Sequence, residues 1–131
     1  MRVERVLETC LYVDDLQTAE RFYSQVLGLS VFARGGNRHV FFRCGSGMFL
    51  LFNPVETVKP TESVPHGSQG SGHVAFAIPE SDIARWQEYL HRNGVEIEEE
   101  VSWPEGGYSL YFRDPAGNSV ELATPQVWQL A

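Results

Sequence analysis

S-G-H-V-A-F-A-I, residues 71–78, decides how this chain folds. Its apolar residues alternate with small ones, the period-two pattern of a strand with one buried face. Val74, Phe76 and Ile78 fall on one side, and His73, Ala75 and Ala77 on the other. The histidine thus opens onto a face of small side chains, where a ligand has room. An earlier stretch, E-T-C-L-Y-V-D-D, residues 8–15, has the same grammar. Leu11 and Val13 stand where Phe76 and Ile78 stand, and Glu8 stands where His73 stands. A metal-ligating residue type therefore recurs at one slot of a duplicated module.

Working outward, residues 3–13 read as a strand with Leu7, Leu11 and Val13 facing a helix and Glu8, Cys10 and Tyr12 on the opposite side. Asp15 is placed to cap that helix, in which Leu16, Ala19, Phe22, Tyr23, Val26 and Leu27 recur at helical spacing before Gly28. Strands over 29–34, 39–43 and 48–53 complete a βαβββ module. Residues 54–72, with three prolines, three serines and three glycines, read as a linker. The order then repeats. A strand over 73–78 leads to a helix capped by Ser81 and carrying Ile83, Trp86, Tyr89 and Leu90. A strand over 95–101, a loop over 103–107 and a hairpin around D-P-A-G-N follow. Laying F-F-R-C-G-S-G-M over Y-F-R-D-P-A-G-N sets Arg43 on Arg113, Gly47 on Gly117 and Leu51 on Glu121. The expected fold is α+β. It has two tandem βαβββ modules, about 3–53 and 73–124, in one domain, with the linker 54–72 and a C-terminal tail 125–131. They form a curved, mixed, mostly antiparallel sheet of eight strands with helices on the convex face and an open cavity on the concave one.

Composition narrows the function. A chain of 131 residues suits one domain with a real core. A formal charge of −7 with a single lysine, Lys59, argues against nucleic acid and anionic membranes as partners. Cys10 and Cys44 fit neither a disulfide framework nor a zinc spacing. With no spanning apolar run and no signal-peptide core, the expected location is cytoplasmic.

The segments L-Y-V-D-D-L with F-Y-S-Q-V-L-G-L, then G-H-V-A-F-A-I, then Y-F-R-D-P-A-G-N-S-V-E-L resemble the vicinal oxygen chelate superfamily. That group includes glyoxalase I, fosfomycin thiol transferases, extradiol dioxygenases and bleomycin-resistance proteins. The resemblance covers nearly the whole chain and is specific for the fold, but the scaffold hosts many chemistries. It implies metal ligands at matching strand slots, which here hold Glu8, Leu51, His73 and Glu121. Leucine binds no metal, so Glu8, His73 and Glu121 are the expected ligands. One imidazole and two carboxylates favour Mn²⁺ or Fe²⁺, with Zn²⁺ possible. Two carboxylates in one cluster repel unless a cation or a proton lies between them. The competing reading is a hydrogen-bonded polar network without metal.

The resemblance also implies that Ser109 and Tyr111 point hydroxyls at a substrate. Cys10, Tyr12, His39, Phe49, Leu51 and His66 are further candidates for the substrate wall, His66 by reaching over from the linker. Glu8, Glu121 and Tyr111 are the candidate catalytic groups. The expected activity is that of a metal-dependent enzyme on a small oxygen-rich molecule, by isomerase, lyase, thiol-transfer or dioxygenase chemistry. The alternative is a metal-free small-molecule or drug-binding protein of the bleomycin-resistance kind. Small relatives imply a homodimer with each site shared between chains, and Val127, Trp128 and Leu130 of the tail are placed to pack on the partner.

Overall fold

The computed structural model describes residues 1–130. The chain divides into two compact units, with the break after Gly70. Each unit carries one βαβββ module and one four-stranded sheet.

In the first unit, β1 (Glu8–Tyr12) is followed by α1 (Leu16–Gln25), β2 (Ser30–Gly35), β3 (His39–Cys44) and β4 (Gly47–Phe52). The sheet order is β1-β4-β3-β2, with β1 parallel to β4 and the other pairs antiparallel. Asp15 caps α1 as expected, its carboxylate accepting from the Thr18 amide at 3.0 Å. From α1, Ala19 and Tyr23 are buried. The Tyr23 ring meets Phe49 at 4.9 Å and Phe42 at 6.1 Å between centroids. By strand alternation, Leu11, Val40, Phe42, Phe49 and Leu51 make the core under the helix. Each such side chain contributes about 1.5–3 kcal/mol of burial. The other face of the sheet carries Glu8, Cys10, Tyr12, His39, Phe41, Leu50 and Phe52.

Two expectations need correction here. The first strand starts at Glu8 rather than Val3, and Leu7 is exposed, because its neighbours have no strand to pair with ahead of Glu8. Residues 54–70 are also more than a linker. Asn53 caps a helical turn, α2 (Pro54–Thr57), and the His66 amide donates back to the Thr57 carbonyl at 2.9 Å, so this segment belongs to the first unit.

The second unit repeats the plan with β5 (His73–Ala77), α3 (Ile83–Arg92), β6 (Glu99–Ser102), β7 (Tyr108–Arg113) and β8 (Ser119–Ala123) in the order β5-β8-β7-β6. A 3-10 turn over Glu80–Asp82 leads into α3, and no side chain caps the helix, so Ser81 is not its cap. Leu90, Leu110, Phe112, Val120 and Leu122 are fully buried. The β7–β8 turn is held by Asp114, whose carboxylate accepts from the amides of Ala116 and Asn118, both at 2.9 Å. Asn118 in turn accepts the Gly72 amide at 2.7 Å, which fixes the start of β5 and so the position of His73.

Among the described residues, no helix is long and apolar enough to cross a membrane.

Candidate active site

The open face of the second sheet holds the densest chemistry. His73 begins β5 and lies opposite Ser119; Glu121 lies opposite both Ala75 and Tyr111. His73 Nδ1 sits 3.1 Å from the Ser119 carbonyl oxygen. A carbonyl can only accept, so Nδ1 carries a proton, and Nε2 is the ring nitrogen turned away from the backbone. That nitrogen faces Glu121 Oε1 at 3.2 Å. Either a proton or a cation can lie between this nitrogen and this oxygen. A nitrogen and an oxygen donor side by side, the imidazole oriented from behind by a backbone carbonyl, is the way proteins present ligands to a divalent ion. His73 and Glu121 supply two donors of the kind such an ion takes.

The other oxygen of Glu121 is engaged. Ser109 Oγ donates to Oε2 at 2.6 Å and itself accepts from Trp103 Nε1 at 2.9 Å. Glu121 is 7% exposed and Ser109 is fully buried. Ser109 therefore serves the carboxylate and does not present a hydroxyl to substrate as expected. Tyr111 stacks near His73, with centroids 6.3 Å apart. Burial, and then the charge of Glu121, push its phenol up from the ordinary range, so it stays a hydrogen-bond donor at neutral pH. Arg113 is committed to Glu98, Ser71 and the Gly117 carbonyl.

The first unit places Glu8 at the exposed start of β1, opposite Met48. Cys10 and Tyr12 follow on the same face. Cys10 is part-buried, and burial raises its thiol pKa, so it is a poor nucleophile at neutral pH. His66 does reach this face: its Nδ1 lies 2.6 Å from the Tyr12 hydroxyl, and its ring meets Phe52 edge-on at 4.7 Å. His39 stacks on Phe41 at 4.0 Å. Burial first, then the Arg38 charge, holds its pKa below the ordinary imidazole value. Arg38 is paired with Glu62 at 2.6 Å. A groove of about 440 Å³ runs beside His66, lined also by Arg38, Glu62 and Val64.

Phe49 and Leu51 are not on this face. Both are buried under α1, at 1% and 0% exposure, with Phe49 against Tyr23. The cause is turn length. Arg43 pairs with Met48 across a tight hairpin closed at Cys44–Gly47, whereas Arg113 pairs with Ser119 across a turn one residue longer. Alignment through the turns therefore slips by one residue, and a one-residue slip moves a side chain to the other face. Leu50 occupies the slot of Glu121: it lies opposite Cys10 and Phe41 as Glu121 lies opposite Ala75 and Tyr111. Strand-by-strand register from the buried positions would have found Leu50. Trp103, read only as part of a loop, is the other residue at this face that the sequence did not signal, and its indole donates to Ser109. Among the described residues, no three His, Cys, Asp or Glu side chains converge to hold an ion.

Residues 5–122 match the family model for the glyoxalase/bleomycin resistance protein/dioxygenase superfamily. The chain belongs to that superfamily. The crystal structure of a lactoylglutathione lyase from Agrobacterium tumefaciens superposes on it with a TM-score of 0.94 at 36% identity, over 99% of this chain and 100% of that one. The metallothiol transferase FosB of Bacillus licheniformis is 32% identical over 88% of this chain and 72% of its own length. The glutathione transferase FosA of Serratia marcescens is 31% identical over 86% of this chain and 74% of its own. These three relatives are named as lyase and transferase enzymes.

Proposed function

We propose that this protein is a metal-dependent enzyme acting on a small oxygen-bearing molecule that chelates the ion. His73 and Glu121 of one protomer and Glu8 of its partner hold the ion in a site shared across a homodimer. The observation that carries the reading is the geometry of His73 Nε2 and Glu121 Oε1, set 3.2 Å apart with the imidazole oriented by Ser119. A bound divalent ion would supply Lewis-acid polarisation of a substrate oxygen. Mn²⁺ or Fe²⁺ suits one imidazole with two carboxylates, and Zn²⁺ is the other candidate.

The chain's own groups have distinct tasks. Tyr111 keeps its proton and donates to a substrate oxygen on which negative charge develops. Glu8, at the exposed edge of its sheet, is the carboxylate free enough to take and return a proton. Tyr12, His39, Phe41, Phe52 and His66 form a largely aromatic wall for the body of the substrate. The basic groups near these faces are committed: Arg38 to Glu62, Arg113 to Glu98 and Lys59 to Glu56, while Arg43 lies over the Phe32 ring. Among the described residues that leaves no ready clamp for a phosphonate, which favours lyase or isomerase chemistry over thiol transfer to a phosphonate.

The dimer reading is supported by the tail. Pro125–Trp128 forms a 3-10 turn that leaves Trp128 76% and Leu130 63% exposed. The cytoplasm is the proposed location. Elemental analysis of protein purified without added metal, followed by reconstitution, tests the function. Near-stoichiometric binding is expected. Less than about a tenth of an ion per chain, with no uptake on reconstitution, would instead favour a metal-free binding protein of the bleomycin-resistance kind.

A further inference from the structure

Trp103, Ser109 and Glu121 form a chain whose direction is forced by donor inventory. An indole N–H can only donate, so Trp103 Nε1 gives its proton to Ser109 Oγ at 2.9 Å. Ser109 has one hydroxyl proton left, and the neighbour at 2.6 Å is a carboxylate oxygen that accepts it. The hydroxyl cannot rotate to serve another partner without leaving the buried carboxylate oxygen without its donor, which is costly. Ser109 is fully buried, so water does not substitute easily.

The indole is itself aimed by backbone. The Trp103 amide donates to the Gly107 carbonyl at 3.0 Å, and the Gly106 amide donates to the Trp103 carbonyl at 3.0 Å, closing the loop on itself. Gly107 has φ of 94°, and a Cβ there would sit 2.4 Å from the Val127 nitrogen. The W-P-E-G-G loop is thus locked by a position that accepts only glycine.

We propose that Trp103 and Ser109 are positioning residues, a donor chain of fixed direction that pins Glu121 Oε2 and leaves Oε1 beside His73 Nε2 to meet a cation. This rests on the metal-enzyme reading above. It gives Ser109 a role behind the ligand in place of one in front of the substrate. Outer partners of metal ligands commonly change affinity 10- to 100-fold when removed.

The test is Mn²⁺ affinity of the full-length apo protein, measured by electron paramagnetic resonance of the free ion, for wild type, Ser109→Ala, Ser109→Thr, Trp103→Phe and the Ser109→Ala/Trp103→Phe double variant. Ser109→Ala should weaken binding about tenfold. Trp103→Phe should weaken it by a smaller factor, Ser109→Thr should recover most of the loss, and the double variant should equal Ser109→Ala, because the indole acts only through the hydroxyl. A Trp103→Phe effect of the same size with and without Ser109, or unchanged affinity in Ser109→Ala, would overturn the proposal. Indole Nε1–H exchange followed by NMR in the metal-free protein reads the chain separately: slow in wild type and fast in Ser109→Ala. A protected indole in a wild-type protein that binds no Mn²⁺ would overturn the metal-enzyme reading, and the positioning role with it. Mn²⁺ binding that is indifferent to these variants would overturn the positioning role alone.

Discussion

Adjacent leucines on β4 separate the two faces of the first sheet, and a glutamate at each should behave in opposite ways. Leu51 is fully buried beneath α1, opposite Leu11 and Val40, which are 4% and 3% exposed. Leu51→Glu forfeits about 2 kcal/mol of apolar burial. It also places a carboxylate among hydrocarbon, at an effective cost of several kcal/mol. The sum, about 5 kcal/mol or more, is comparable to the whole stability of a domain this size. Leu51→Glu should be unfolded or grossly destabilised in urea titrations. Leu50 lies on the opposite face between Cys10 and Phe41 and is itself only 6% exposed, so a carboxylate there also carries a burial cost, which a bound cation offsets. Leu50→Glu gives up at most about 2 kcal/mol of burial, and its carboxylate shares a face with Glu8. With Mn²⁺ present it should fold, bind the ion about tenfold more tightly, equivalent to about 1.4 kcal/mol, and lose activity because a coordination position closes. A Leu51→Glu protein as stable as Leu50→Glu, with the tighter Mn²⁺ binding, would refute the register argument and restore Leu51 to the ligand slot.

The remaining predictions are shorter. Burial raises the Cys10 thiol pKa, so its alkylation at pH 7 should be slower than that of a free thiol, and Cys10→Ala should keep most of its activity; rapid labelling with loss of activity would assign it a chemical role. The lowered pKa of His39 means that the unfolded chain binds the proton more tightly than the folded one. Stability from this group is therefore full above the ordinary imidazole pKa, falls as pH drops from there to the folded value, and then levels; His39→Asn should flatten that part of a stability–pH curve, and an unchanged slope would contradict it. If sites are shared across a dimer, Glu8→Ala and His73→Ala chains, each unable to bind metal alone, should regain about a quarter of the wild-type sites on mixing, because half the dimers are mixed and each has one intact site. No recovery after confirmed subunit exchange would place all three ligands within one chain.

Much of this was legible because the module is written twice. The match of Glu8, Leu11 and Val13 to His73, Phe76 and Ile78 carries strand order, face and ligand slot together, and both helices follow from apolar spacing. What was illegible has physical causes. Leu50 and Leu51 sit in an unbroken apolar run, M-F-L-L-F, where period-two alternation gives no sign of which side faces the helix. Only the hairpin's length sets that, and the two hairpins differ by one residue. The partners of Ser109 were illegible because a serine pattern does not reveal which neighbour takes its proton; here Trp103, on a glycine-locked loop, donates to it and Glu121 accepts from it. His66 reaches the open face through contacts from the turn-rich segment after α2, to Tyr12 and Phe52, which no local periodicity encodes.

The measurement that bears most directly on the central claim is anomalous diffraction at the manganese edge from crystals grown with Mn²⁺. The account predicts one strong peak per site, bonded to His73 Nε2 and Glu121 Oε1 of one protomer and to Glu8 of its partner, at about 2.0–2.2 Å. A saturated crystal with no peak beside His73 and Glu121, or a peak there with Glu8 turned away in every copy, would contradict it.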